Sequence, residues 1–258
     1  MSWWGKVLGG AVGFVLGGPL GALLGGVLGH SLDQAREEGA PHATERRQTV
    51  FFTAAFSVLG HLAKADGQVS RDEIRLASRV MDRLRLAPDL RDFARRLFGE
   101  GKRPDFDLDA VLAQLGREAP SRDLLRMFLE IQVFAAYADG RVHLAERAIL
   151  GRICAHLGFD AATLAQVESL VQAELQGEFS HATSARAAPL DDAYAVLGVT
   201  PDADDAAVKR AYRRLISQHH PDKLVAKGLP EEMMTLATAK AQQIRGAYER
   251  VQAARGMR

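Results

Sequence analysis

Three consecutive residues, His220, Pro221 and Asp222, lie between two segments that have the spacing of amphipathic helices. The upstream segment, 206–218, places apolar residues on one face and cations on the other at i, i+4 spacings. The four cations are Lys209, Arg210, Arg213 and Arg214. Since exposed ion pairs each contribute only about 0–1 kcal/mol, such a basic helix is suited to steer and orient a partner. The tripeptide also has a plainer interpretation, because a proline disfavours the α conformation of the preceding residue and His220 could simply end a helix.

We call the tripeptide His220-Pro221-Asp222 the trigger segment. The elements around it follow a recognisable order. A short apolar segment, YAVLGV at 194–199, precedes the basic helix, and a second long helix is predicted from Glu231 to Ala253. Together with KRAYRRL at 209–215 and AYE at 247–249, this order resembles the J-domain of DnaJ-type co-chaperones. Such a domain consists of a short helix, a basic helix, an HPD loop and an antiparallel helix.

The resemblance implies a mechanism and a partner. In J-domains the basic helix docks on an acidic face of a DnaK-type chaperone ATPase, and the HPD loop triggers ATP hydrolysis there. It therefore implies that His220, Pro221 and Asp222 are the trigger and that the basic helix is the docking surface. Hydrolysis belongs to the partner, so the chain itself is expected to be neither an enzyme nor dependent on a cofactor. Two departures, a Gly-Leu-Pro stretch at 228–230 and Gly246 in a helix interior, indicate a particular subfamily.

Length and composition set the outer limits. A chain of 258 residues is expected to form about two domains, and a net charge of +1 gives no indication of a nucleic-acid partner. The single cysteine, Cys154, excludes an internal disulfide and the paired-cysteine zinc module of full-length DnaJ proteins. Because it lies on an apolar helical face, we expect a core thiol.

Residues 7–29 contain no charged side chain, and we predict a transmembrane helix within residues 1–30. At 1.5 Å per residue this run spans about 34 Å, enough for a hydrocarbon core of about 30 Å. Trp3 and Trp4 lie where an interfacial belt would. A cleavable signal peptide and a soluble glycine-zipper tail are the alternatives.

Glycines recur at every fourth position of this segment and predict helix pairing. They include Gly9, Gly13, Gly17, Gly21 and Gly25. Small residues four apart let two helix backbones approach closely, so we expect a homodimer through the transmembrane helix. Lys6 precedes the segment, while Arg36, Arg46 and Arg47 follow it. This excess of cations predicts a single pass with the following domains in the cytoplasm. The family resemblance given below implies that the membrane is a bacterial inner membrane, so the N-terminus would be periplasmic.

The rest of the chain divides by composition into four parts. Residues 31–44 are polar and interrupted by glycine and proline, and indicate a tether; 45–176 have a continuously helical pattern. Small and polar residues at 177–190 predict a flexible linker, which would let the domain at 191–258 search for its partner. No alternating strand pattern occurs, so we predict an all-α fold throughout.

Two stretches 73 residues apart repeat each other in the middle domain. ADGQV at 65–69 is followed by Glu73, and ADGRV at 138–142 by Glu146. The pattern resembles TerB-like domains, all-helical modules with paired acidic turns proposed to bind a divalent metal. Asp66, Glu73, Asp139 and Glu146 would then supply four oxygen ligands to a hard cation. The alternative is structural, because Asp-Gly is a common turn and a glutamate is favourable in a first helical turn.

Taken over its whole length, the chain resembles the membrane-anchored DnaJ-like co-chaperones of Gram-negative bacteria. The resemblance implies a dimer in the inner membrane that stimulates a cytosolic DnaK-type ATPase in envelope-stress or capsule regulation. A competing hypothesis is a membrane-tethered, metal-responsive scaffold whose J-like domain is non-functional.

Overall fold

A computed structural model describes residues 18–28, 43–65, 80–137, 142–183 and 190–257. Every regular element within these ranges is a helix, which confirms the predicted all-α fold. The chain begins with α1 (Gly18–Leu28). A helical bundle follows, consisting of α2 (Ala43–Ala63), α3 (Pro88–Gly101), α4 (Leu108–Glu118), α5 (Arg122–Ala136), α6 (Leu144–His156) and α7 (Ala161–Thr183).

Helix α2 forms the centre of the bundle. All of its residues from Gln48 to Gly60 are buried, because α3, α4 and α5 all pack against it. Helices α2 and α3 approach so closely that each needs a glycine at the contact. A Cβ atom on Gly60 would lie 2.0 Å from the Phe98 carbonyl oxygen, and one on Gly101 would lie 1.7 Å from the Ser57 carbonyl oxygen. The tight core that results provides a rigid base for the elements that follow.

The C-terminal domain consists of four helices and one short turn. These are α8 (Leu190–Leu197), α9 (Asp205–Gln218), α10 (Pro221–Lys227), a 3₁₀ turn (Glu231–Met233) and α11 (Met234–Arg255). Apolar faces of α8 and α9 pack on α11, with Val208, Leu215 and Ile244 fully enclosed. The second long helix therefore begins three residues later than the predicted Glu231, because a 3₁₀ turn occupies its first positions.

The segment predicted as a flexible linker is partly helical. Helix α7 continues to Thr183, so residues 177–183 extend the bundle, while 184–189 lie outside the described residues. The C-terminal domain also packs directly on the bundle, since Leu224, Leu229 and Met233 belong to the bundle's own apolar core. The expectation of a freely searching domain is therefore wrong for this structure, because apolar residues after the trigger segment are buried against the bundle.

Helix α1 covers part of the predicted transmembrane segment. It has 11 residues, about 16 Å, and packs with Leu20 and Leu24 buried against α3 and α4. The Leu20 amide also donates to Gln114 Oε1 at 2.9 Å. Among the helices of the described ranges, none combines the length and apolar character that a membrane crossing requires. Residues 1–17 and 29–42, which include Gly9, Gly13 and Gly17, lie outside the described residues; Gly21 and Gly25 are in α1.

Candidate functional site

The trigger segment joins two helices. Helix α9 ends at Gln218, and His220 is the N-cap of α10, with Pro221 at the first helical position. The extended conformation of His220, with φ −67° and ψ 120°, is the one that a following proline favours, and proline is well suited to a first helical turn. The helix-ending interpretation of the proline is therefore locally right, and the same geometry leaves the side chains of His220 and Asp222 exposed.

The basic helix, α9, presents its cations beside the trigger segment. Asp204 caps the helix by accepting a hydrogen bond from the Ala207 amide, and the apolar face turns inward. On the outer face Arg210, Arg213 and Arg214 are exposed, while Lys209 is half-buried. The structure thus places the four predicted cations on α9 and the trigger segment directly after it, at the start of α10.

Two contacts that the sequence did not predict fix α9 relative to α11. The rings of Tyr212 and Tyr248 stack with centroids 4.1 Å apart. Arg255, near the end of α11, donates to the Tyr194 hydroxyl at 2.7 Å and to the carbonyl oxygens of Ala203 and Pro201 at 2.6 and 2.7 Å. This arginine ties α8 and the loop before α9 to α11.

His219, directly before the trigger segment, is the most important residue that the sequence analysis missed. It is 1% exposed and contacts acceptor oxygens with both ring nitrogens. Nδ1 donates to the Leu215 carbonyl oxygen at 2.9 Å, and Nε2 lies 2.9 and 3.0 Å from the carboxylate oxygens of Glu130 in α5. Since an ionised carboxylate can only accept, Nε2 must donate, and the ring then carries a proton on each nitrogen.

Glu130 is surrounded by cations inside the protein. Arg126, one turn earlier in α5, donates to it at 3.2 Å, and Lys240 of α11 acts on it electrostatically. Burial opposes the charged form and is the largest single influence. His219, Lys240 and Arg126 together outweigh it and lower the pKa of Glu130 to about 2. The carboxylate is therefore ionised at neutral pH and pairs charges from both domains.

The charged network continues from Glu130 towards α7. Lys240 donates to Glu174 of α7 at 2.5 Å, and Arg83 pairs with the other oxygen of the same carboxylate. Both Lys240 and Glu174 are largely buried. The bundle and the C-terminal domain thus meet along a line of alternating charges. In this line, Glu130 and Glu174 each contact cations from more than one element.

Residues immediately after the trigger segment complete the contact between the domains. Lys227 pairs with Asp123 of α5 at 2.5 Å, and Gln48 of α2 donates to the Leu229 carbonyl oxygen at 3.3 Å. Gly228 has φ 115°, and a Cβ atom there would lie 2.6 Å from the Cβ of Arg47. The Gly-Leu-Pro stretch that departs from the usual J-domain pattern is therefore the segment that docks on the bundle.

The predicted metal ligands fall mostly outside the described residues. Asp66, Glu73 and Asp139 do so, and Glu146 accepts a hydrogen bond from the His143 amide at 2.8 Å, at the start of α6. This contact is the helix cap of the structural alternative. Within the described ranges, no three His, Cys, Asp or Glu side chains group as a metal site would need. The metal site stays a prediction.

Cys154 is a buried thiol of α6, as predicted. Burial, reinforced by the nearby carboxylates of Glu168 and Asp160, raises the pKa of the thiol to about 11. A thiol that stays protonated at neutral pH is a poor nucleophile. Cys154 therefore serves as a core residue and not as a reactive group.

Comparison with known proteins gives three consecutive family matches. The co-chaperone DjlA transmembrane domain matches residues 1–41, the tellurite resistance protein TerB family matches 52–169, and the DnaJ domain matches 192–254. Curated relatives match over 100% of both chains. They include proteins named co-chaperone protein DjlA from Shewanella oneidensis at 46% identity, Vibrio cholerae at 44% and Coxiella burnetii at 44%. No solved structure matches significantly.

Proposed function

Because the chain belongs to the DjlA family of membrane-anchored co-chaperones, we propose that its C-terminal domain stimulates ATP hydrolysis by a DnaK-type chaperone. The observation that carries this proposal is the exposure of His220 and Asp222 at the end of a helix with three exposed arginines. A partner can reach all of these side chains while the domain remains packed on the bundle.

The two parts of this surface have different tasks. Exposed arginines attract and orient an acidic face of the ATPase, but each contact is weak in water, so the complex can dissociate after each cycle. The trigger segment sits on the rigid joint between α9 and α10, where Pro221 fixes the backbone. Hydrolysis takes place in the partner's nucleotide site, and the chain supplies the signal.

The test uses the full chain in phospholipid vesicles with a purified DnaK-type ATPase. We expect single-turnover ATP hydrolysis to accelerate with the wild-type chain and to return to the unstimulated rate with His220→Gln. His143→Gln is the matched control, because this exposed histidine lies in the bundle, away from the trigger segment. Equal rates for the wild type and His220→Gln would defeat the proposal.

For the membrane topology, we propose a single pass through the inner membrane with both folded domains in the cytoplasm. The cations that follow the apolar segment support this orientation. Protease added to spheroplasts should leave the bundle intact, and cleavage of the bundle without cell lysis would refute the orientation. Envelope-stress or capsule regulation is the cellular role that we propose on the resemblance alone. An Asp222→Asn copy that fails to restore the envelope-stress response or the capsule of a strain lacking the gene would support this role.

For self-association, we propose a dimer through the glycine face of the transmembrane segment. Its support is the four-residue spacing of the glycines. Replacing Gly17 and Gly21 with leucine should abolish energy transfer between labelled copies in vesicles. Ala22→Leu adds similar bulk beside this face and should retain the signal, and retention by the double variant would count against the dimer.

The metal-responsive scaffold is a separate proposal with a direct measurement. Its support is the repeated Asp-Gly turn at Asp66 and Asp139. Elemental analysis of the purified full chain should show a bound divalent cation that the double variant Asp66→Asn, Asp139→Asn loses. Metal-free wild-type protein would eliminate this function.

A further inference from the structure

The contact between the bundle and the C-terminal domain is built from buried charges at the residue next to the trigger. His219 precedes His220 in the chain, and its ring is held between the Leu215 carbonyl oxygen and the Glu130 carboxylate. Because the two residues share a planar peptide bond, a fixed His219 sets the point from which the backbone of His220 continues. The bundle therefore controls the position of the trigger at the closest point in the sequence.

Burial of charge makes this contact specific to one arrangement. The side chains of His219 and Glu130 are 2% and 4% exposed, so a register that kept His219 buried away from Glu130 would leave its ring without this carboxylate. The pair Lys227–Asp123 and the close approach of Gly228 to Arg47 add two further restraints on the same side of the domain. The docked arrangement satisfies all of these groups together.

The side of the C-terminal domain that docks on the bundle is largely apolar, whereas its accessible side is polar and charged. Leu224, Leu229 and Met233 are enclosed by the bundle, whereas His220, Asp222 and the outer arginines of α9 remain exposed. Docking thus uses residues that the proposed partner does not need. Its effect is to hold the accessible side in one direction relative to the bundle.

We propose that the bundle is the intramolecular docking partner of the C-terminal domain, and that Glu130 and His219 are positioning residues for the trigger segment. This proposal rests on the proposed co-chaperone function for its consequence, but the docking itself is independent of any partner. A freely tethered domain would present its basic helix in many directions, most of them unproductive for an ATPase that approaches a membrane. A docked domain presents it in one direction, which lowers the concentration needed for stimulation and leaves the maximal rate unchanged.

The first experiment measures docking alone, by hydrogen exchange on the full chain in vesicles. Glu130→Gln and His219→Gln should each accelerate amide exchange at 224–229 by at least about tenfold, while the amides of α9 and α11 around the Tyr212–Tyr248 stack stay protected. Asp123→Asn is a milder variant at the edge of the contact and should give a smaller acceleration in the same segment. Glu249→Gln, an exposed carboxylate on α11, is the matched control.

Unchanged exchange at 224–229 in both Glu130→Gln and His219→Gln would overturn the docking contact. Loss of protection throughout α9 and α11 in these variants would show a role in folding of the domain and would overturn positioning. Asp123→Asn then tests the docking contact alone, because it leaves the buried pair intact, and unchanged exchange at 224–229 in this variant would overturn docking as well.

The second experiment measures ATPase stimulation as a function of chain concentration. For Glu130→Gln we expect the half-saturating concentration to rise about three- to tenfold with the plateau rate unchanged. His220→Gln should instead abolish the plateau. Faster exchange at 224–229 with no change in the half-saturating concentration would overturn the positioning role. A wild-type chain that does not stimulate at all would remove the proposed function and the positioning role with it, while the exchange data would still decide whether the domains dock.

Discussion

Acid should weaken this protein through one identifiable carboxylate, Glu130. Its ordinary pKa is 4.5, and the cations around it in the folded chain lower that value to about 2. A carboxyl group whose pKa is lower in the folded state stabilises that state fully above its unfolded pKa. The stabilisation is lost as the pH falls from about 4.5 towards 2, because the unfolded chain binds the proton first.

The size of this effect follows from the pKa difference. A change from 4.5 to about 2 corresponds to roughly 3 kcal/mol in the free energy of unfolding, and about 2 kcal/mol of it should be lost at pH 3. The groups that face the carboxylate are Arg126 on its own helix, His219 at the end of α9 and Lys240 on α11, with Glu174 beyond Lys240. Protonation of Glu130 removes the carboxylate charge that Arg126, His219 and Lys240 face, while Lys240 keeps its pair with Glu174.

The assay compares urea unfolding of the full chain in detergent for the wild type and Glu130→Gln, from about pH 7 to pH 3. At neutral pH the variant should be less stable by about 3–5 kcal/mol, because buried cations lose their counter-charge. At pH 3 the difference should be about 2 kcal/mol smaller. Glu249→Gln corrects for general effects of acid. A difference that stays constant over the whole pH range would refute the reasoning.

Three further predictions concern single positions. Gly228→Ala should lower the free energy of unfolding by about 1–3 kcal/mol, because φ is 115° and the new Cβ meets Arg47. Gly246→Ala, in an open helical position, should raise the free energy of unfolding by about 0.5–1 kcal/mol. Urea midpoints of the two variants that move in the same direction would contradict this prediction. Arg213→Glu should raise the half-saturating concentration for ATPase stimulation about five- to tenfold at low salt, and Arg95→Glu in the bundle should not; equal effects would show that the basic helix has no special part. Cys154 should resist alkylation at about pH 8 until urea unfolds the bundle, and rapid labelling of the folded chain would disprove its place in the core.

The sequence predicted the elements that depend on local pattern. Helical periodicity gave α9 to within one residue, since its apolar face repeats with the helical period and Asp204 provides a cap. It also placed His220 at the joint between helices, because proline restricts the residue before it. These features arise within a few residues of each other in the chain, so no tertiary information is needed to find them.

The contact between the domains could not be predicted in this way. His219 and Glu130 are 89 residues apart, and nothing near either residue identifies the other. The Gly-Leu-Pro stretch was visible as a departure from the usual pattern, but its reason is the close approach to α2, which only the fold reveals. A composition rich in small and polar residues likewise predicted a linker at 177–190, although α7 extends through 177–183. Composition reports local preference, and continuation of a preceding helix can override it.

The contact between the domains limits how far the trigger can move relative to the bundle. The sequence suggested two flexible segments, 31–44 and 177–190, which would give the trigger freedom to move relative to the membrane anchor. In the structure, the bundle holds His219, directly before the trigger, through Glu130. Since buried, paired charges tolerate only one arrangement, whereas apolar surfaces can slide, the ion pair is the contact that sets direction. The link from the bundle to the trigger therefore runs through fixed side-chain contacts, and freedom in the segment after α7 need not loosen it.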